Sequence, residues 1–161
     1  MRETLFNWLG QSLDGLACLD LFAGSGALGF EAASRGAARV VLVEQDRAVF
    51  DLLQKTRDQI GARQVEVVLD DAFAYLKRAQ AFDVVFLDPP FRQNALPAVF
   101  RQLQDAPKKQ GAPGMRVYVE SDQPFTPGEA WRELKRARAG QVSYQLLEWR
   151  TDDQGGLPGN V

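Results

Sequence analysis

Residues 17–29 read Ala17-Cys18-Leu19-Asp20-Leu21-Phe22-Ala23-Gly24-Ser25-Gly26-Ala27-Leu28-Gly29. A short apolar run rich in strand formers leads straight into G-x-G-x-x-G, and a helical pattern follows over 27–35. Glycines at that spacing let a strand turn sharply into a helix and let backbone approach a ligand without a Cβ in the way. On their own they are equally compatible with a tight turn that binds nothing.

The pattern repeats outward from this turn. Apolar runs at 40–43, 65–69 and 84–87 predict strands, and helices are expected over 47–60, 71–77 and 95–103, with a further strand at 116–120. In the helix at 47–60, Val49, Leu52, Leu53 and Ile60 are expected on one apolar side. Several strands lack period-two alternation, as parallel strands covered on both faces do. Strand and helix in alternation with short loops imply a parallel sheet with right-handed crossovers. Residues 133–138 and 142–149 then read as a hairpin through Ala139-Gly140-Gln141, so the sheet is mixed. A short helix over 4–9 covers the sheet at the front. The expected organisation is a single domain over 1–150 and a flexible tail over 151–161.

Ligands of open α/β sheets bind at the carboxyl ends of the strands. Glu44 ends the second strand, 20 residues after Gly24, where an acid can accept hydrogen bonds from ribose hydroxyls. Asp46 is the better candidate to cap the following helix. Together the glycines and Glu44 favour an adenosine-type ligand. Asp20, four residues before the first glycine, sits badly with a pyrophosphate and well with an ammonium group. The fourth strand ends in Asp88-Pro89-Pro90-Phe91. An exocyclic amine on a base is a poor nucleophile because its lone pair is delocalised into the ring. A site that accepts both of its N–H hydrogens holds the nitrogen in attacking geometry and stabilises the charge that develops. The Asp88 carboxylate and the Pro89 carbonyl can be those acceptors, and Phe91 can stack on a base removed from its helix.

The chain has 161 residues with 19 basic and 21 acidic side chains, no histidine and one cysteine. Histidine triads, histidine metal sites, zinc clusters and disulfide frameworks are excluded, and no metal is expected. A cytosine C5 mechanism needs a cysteine nucleophile, whereas Cys18 reads as a small buried apolar residue. No run is long and apolar enough for a membrane span, so a cytoplasmic setting is the default. The charge is unevenly spread. Residues 1–91 carry a balance of -4, residues 92–138 carry +4, and residues 139–161 carry -2. Arg92, Lys108, Lys109, Arg132, Lys135 and Arg136 in the basic stretch are candidates for phosphate contacts beside the target pocket. Scattered solvated positive faces would give the same arithmetic.

The segments L-D-L-F-A-G-S-G-A-L-G-F-E-A at 19–32, V-E-Q-D-R at 43–47, F-L-D-P-P-F at 86–91 and Y-V-E-S at 118–121 resemble the RsmD family. So do R-E-T-L-F-N-W-L at 2–9 and G-Q-V-S-Y-Q-L-L-E-W at 140–149. The family consists of class I S-adenosylmethionine-dependent enzymes that methylate a guanine N2 in bacterial 16S ribosomal RNA. The resemblance implies a Rossmann-like three-layer sandwich around a seven-stranded mixed sheet whose last strand is antiparallel. It implies that Asp20, Phe22, Gly24, Ser25 and Gly26 line the methionine part of the cofactor. By the same resemblance Glu44 binds the ribose, Asp71 and Ala72 flank the adenine, and Asp88 faces methyl donor and target amine. The implied partner is 16S RNA or an assembling small subunit, without a membrane; the sequence leaves the oligomeric state open, with a monomer favoured. Family members carry a further basic, proline-containing segment before the stretch at 2–9, and that segment is expected to be missing here. Two rival readings stay open: methylation of another planar amine (adenine N6 or a protein glutamine amide), and a nicotinamide- or nucleotide-binding Rossmann protein.

Overall fold

The computed structural model describes residues 2–89, 95–105 and 114–150. Pro90, Phe91, Arg92, Lys108, Lys109 and the tail at 151–161 lie outside them. The described elements are α1 (Arg2–Trp8), β1 (Ala17–Asp20), α2 (Ala27–Ser34), β2 (Arg39–Glu44), α3 (Arg47–Ile60) and β3 (Val65–Leu69). They continue with α4 (Ala72–Arg78), β4 (Val84–Leu87), α5 (Ala95–Asp105), β5 (Arg116–Ser121), β6 (Trp131–Ala139) and β7 (Val142–Trp149).

The seven strands form one sheet in the order β3-β2-β1-β4-β5-β7-β6. The first five are parallel, and β7 runs antiparallel to both β5 and β6. The last strand therefore sits inside the sheet and β6 forms its edge. Sequence explains the choice. Val142–Trp149 is apolar enough to be covered on both faces, whereas Trp131–Ala139 is exposed along most of its length and carries Arg132, Lys135, Arg136 and Arg138. Charged edge strands resist pairing with other chains.

Two apolar layers flank the sheet. Leu19, Val41, Val85, Val117 and Leu147 face α4 and α5, and Cys18, Val40, Phe86, Tyr118 and Leu146 face α1, α2 and α3. This is the three-layer sandwich expected. Three local details differ from the sequence reading. The first strand ends at Asp20 rather than at residue 22, because the chain turns immediately toward the ligand end. Asp71 does not belong to α4 but caps it, its carboxylate accepting the Ala74 N–H at 3.0 Å. In α3 the packed face runs through Val49, Phe50 and Leu53, while Leu52 and Ile60 are 62% and 59% exposed. Leu52 and Leu53 lie about 100° apart on a helix, so only one of them can face the sheet. Asp46 caps α3 as expected, accepting from the Val49 N–H at 3.1 Å.

Helix α2 packs so tightly that Gly29 has no room for a side chain. A Cβ there would lie 2.1 Å from Leu42 Cδ2 and 3.4 Å from Asp20 Oδ2. Gly29→Ala is accordingly expected to destabilise the fold by about 2 kcal/mol, although alanine has the better helix propensity. Urea unfolding measures this as a lower midpoint with an unchanged slope. A variant as stable as the parent would mean that α2 can move off the sheet at little cost.

Candidate active site

The carboxyl ends of β1 to β4 surround a cavity of about 630 Å³. Its wall consists of residues 21–25 after β1, 43–46 at the end of β2, Val49 of α3, 70–73 at the start of α4, Asp88 with Pro89 at the exit of β4, and Ala95 of α5. Glu44, Asp46, Asp70, Asp71 and Asp88 all contribute to it, and among the described residues no lysine or arginine does. That charge pattern suits a cationic ligand and opposes a pyrophosphate.

The first turn is built by backbone. Gly26 caps α2 with a φ of 80°, a left-handed conformation, and a Cβ there would meet the Phe30 ring at 2.7 Å. Both facts call for glycine. Glu44 ties this turn to the second strand. Its Oε1 accepts the Gly24 N–H and its Oε2 accepts the Asp46 N–H, each at 3.0 Å. The carboxylate is thereby fixed at the wall with a lone pair left on each oxygen. Asp71 spends one oxygen on capping α4, and Asp70 pairs with Arg78 at 2.7 Å, which holds its carboxyl below the usual range.

Strand register places four acids on one face of the sheet. Asp20 pairs with Leu42 and Phe86, and two residues beyond those partners stand Glu44 and Asp88. Leu87 pairs with Val119, so one step further Asp88 stands beside Glu120. Asp20 is 2% exposed, with Oδ2 accepting the Gly29 N–H at 3.2 Å. Burial pushes its carboxyl up to about 8; the Gly29 hydrogen bond opposes the shift, while Asp88, Glu44 and Glu120 add to it. Asp88 is exposed at the mouth of the cavity, yet the surrounding protein still displaces enough water to raise its carboxyl. Cys18 is fully buried, and burial pushes its thiol up to about 12, out of reach of nucleophilic work at neutral pH. Among the described residues no three Cys, Asp or Glu side chains are grouped to hold a metal ion.

The family described as conserved hypothetical protein 95 matches residues 1–148. The chain is also 40% identical over 155 residues to Ribosomal RNA small subunit methyltransferase D of Haemophilus influenzae, covering 92% of this chain and 79% of that one. This chain belongs to the RsmD family. The Escherichia coli protein of the same name is 40% identical over 153 residues, covering 92% of this chain and 76% of its own. The solved structure of yhhF from Escherichia coli matches with a TM-score of 0.85 at 40% identity, over 92% of this chain and 85% of that one. RsmD enzymes are S-adenosylmethionine-dependent methyltransferases of class I, and the seven-stranded sheet with antiparallel β7 is their architecture.

Of the residues the RsmD motifs assign to the cofactor, Phe22, Gly24, Ser25, Glu44, Asp71, Ala72 and Asp88 line the cavity together. Asp20 and Gly26 lie behind the turn, both buried. The basic residues of β6 spread out instead of converging. Register puts Arg132 level with Glu148 and Arg116, at the end of the strands away from the cavity, and Arg132 forms an ion pair with Glu148. Arg136 pairs with Glu133 at 2.9 Å, and Lys135 is exposed midway. Arg138, level with Ser143 and Ser121, is the member of that strand nearest the site end. Glu120 is the group that sequence reasoning quoted without giving it a role. An acid inside an apolar strand carries no signal until pairing shows Asp88 next to it.

Proposed function

We propose that this chain methylates the exocyclic N2 amine of a guanine in 16S ribosomal RNA by direct in-line transfer. The observation that carries the reading is the placement of Asp88 and Pro89 at the mouth of an acid-lined cavity without cationic side chains among its described residues. Relatives at 40% identity, named for the small-subunit ribosomal RNA, supply the RNA class. S-adenosylmethionine, when bound, supplies a methyl group on a positively charged sulfonium. Asp20 provides a buried negative potential for the ammonium group, while Phe22, Gly24, Ser25 and Gly26 shape the surface for the methionine chain. Glu44 accepts from the ribose hydroxyls, and Asp71 and Ala72 flank the adenine.

The Asp88 carboxylate and the Pro89 carbonyl accept the two amine hydrogens and aim the nitrogen lone pair at the methyl group. As the N–C bond forms, the amine must lose a proton. Asp88, already held above the usual carboxylate range, is placed to take it. Pro90 and Phe91 are assigned to the reaction by sequence alone, Phe91 to stack on the base. Arg92, Lys108, Lys109, Arg132, Lys135 and Arg136 are assigned to phosphates on the same basis, and of the three on β6 Arg132 stands furthest from the cavity. A cytoplasmic encounter with the assembling subunit follows from this substrate.

The test is methyl transfer to small ribosomal particles that lack the modification, with mapping of the labelled nucleotide. Label at N2 of one guanine is expected. Label on an adenine, or tight NAD binding without S-adenosylmethionine binding, would overturn the assignment.

A further inference from the structure

The acid row continues past Asp88, away from the cofactor wall. Glu120 lies between Asp88, at the exit of β4, and Tyr144 on β7, its register partner. The row is held rigidly from beneath. Tyr118, 1% exposed, donates its hydroxyl to Glu120 Oε2 at 2.9 Å and stacks on Tyr144 with ring centroids 6.4 Å apart. That bond engages Oε2, and among the described residues Oε1 accepts no hydrogen bond. The cofactor cavity reaches Asp88 and Pro89 from the β1 side, and β5 with Glu120 is the next strand beyond them.

On guanine, the atom next to the N2-bearing carbon on the Watson–Crick edge is N1, and it carries a hydrogen. In adenine and 2-aminopurine the ring N1 is an acceptor. An ionised carboxylate offers acceptors only. We propose that Glu120 accepts the N1–H of the target guanine, making it the residue that selects a base with two neighbouring donors. The inference rests on the guanine-N2 reading and extends it. Asp88 and Pro89 can hold any amine of suitable reach, whereas Glu120 distinguishes what lies beside the amine. Burial and the adjacent Asp88 charge disfavour an ionised Glu120, the Tyr118 hydrogen bond favours it, and a second donor from the base acts in the same direction as Tyr118.

The experiment uses small-subunit particles carrying either guanine or 2-aminopurine at the mapped nucleotide. 2-Aminopurine keeps the reactive amine and lacks the N1–H. The parent enzyme is expected to prefer guanine by at least about 100-fold in kcat/KM, since a site built for a donor rejects an analogue without one. In Glu120→Gln the carboxamide can donate to the bare N1, so the preference should drop by at least about tenfold. Glu120→Ala should lose guanine activity selectively, with S-adenosylhomocysteine binding unchanged by calorimetry. A purely structural role for Glu120 would depress both substrates equally. Methylated guanine with an unchanged preference in both variants overturns the role of Glu120 alone, whereas no guanine methylation by the parent overturns the reading beneath it.

Discussion

Asp88→Ala is expected to lower methyl transfer by about 1,000-fold or more while S-adenosylmethionine binds within a few-fold of the parent affinity. The magnitude follows from what is lost. One preorganised electrostatic contact to a developing charge is worth about 100- to 1,000-fold, and the amine also loses its orientation and its nearest proton acceptor. Binding is spared because the cavity wall at 21–25, 43–46 and 70–73 remains. Asp88→Asn keeps one oxygen acceptor and should fall between the two. Single-turnover transfer measured beside calorimetric affinity separates the effects. An alanine variant that keeps more than a tenth of the rate would remove Asp88 from the centre of the mechanism.

The second large effect concerns Asp20, whose carboxyl stands near 8 when buried without a cation. In the unfolded chain an aspartate titrates at about 3.9. Between those values the folded state holds a proton that the unfolded state has released. Stability without ligand therefore falls as pH rises through this window and levels off above about 8. A bound ammonium group reverses the preference and favours the ionised form. Cofactor affinity should then rise with pH, by about tenfold between pH 6 and pH 7, with a proton released on binding. Asp20→Asn removes both behaviours. It should bind at least about 30-fold more weakly at pH 7.5, lose most of the pH dependence, and melt at a higher temperature than the parent. Calorimetry in buffers of different ionisation enthalpy reads the proton directly. Equal pH slopes in parent and variant would dissociate Asp20 from the ligand.

Much of this architecture is legible in the sequence because each strand is a short apolar run bounded by a recognisable turn. The turn at 20–29 and the acid at Glu44 announce the strand ends that wall the cavity, and Asp88-Pro89 marks the exit of the fourth strand. What is hidden depends on pairing across the chain. The hairpin at 131–149 predicts that its two strands meet; which of them docks on β5 is set by the burial of Val142–Trp149 against the charge of Trp131–Ala139. The same limit hides Glu120, which comes beside Asp88 only through the Leu87–Val119 register. The face of α3 is ambiguous for a local reason, since Leu52 and Leu53 are both apolar and helical phase decides between them. The basic run at 132–138 looks like one patch in a linear count. On an extended strand it is drawn out along roughly 20 Å, at about 3.3 Å per residue.

The strand order also sets a timetable for synthesis. β1 finds its partner β4 only when residue 84 exists, 66 positions after Cys18. The flank of β5 stays unpaired until Val142–Trp149 has been made. At about 5–20 residues per second, the 28 residues from 121 to 149 keep that edge bare for a few seconds. The pocket for the methyl donor can thus take shape on the ribosome while the wall beside Glu120 is still open. The four strand ends that wall the cavity are complete once Pro89 has been made, and the strand that covers β5 beside Glu120 only once Trp149 has.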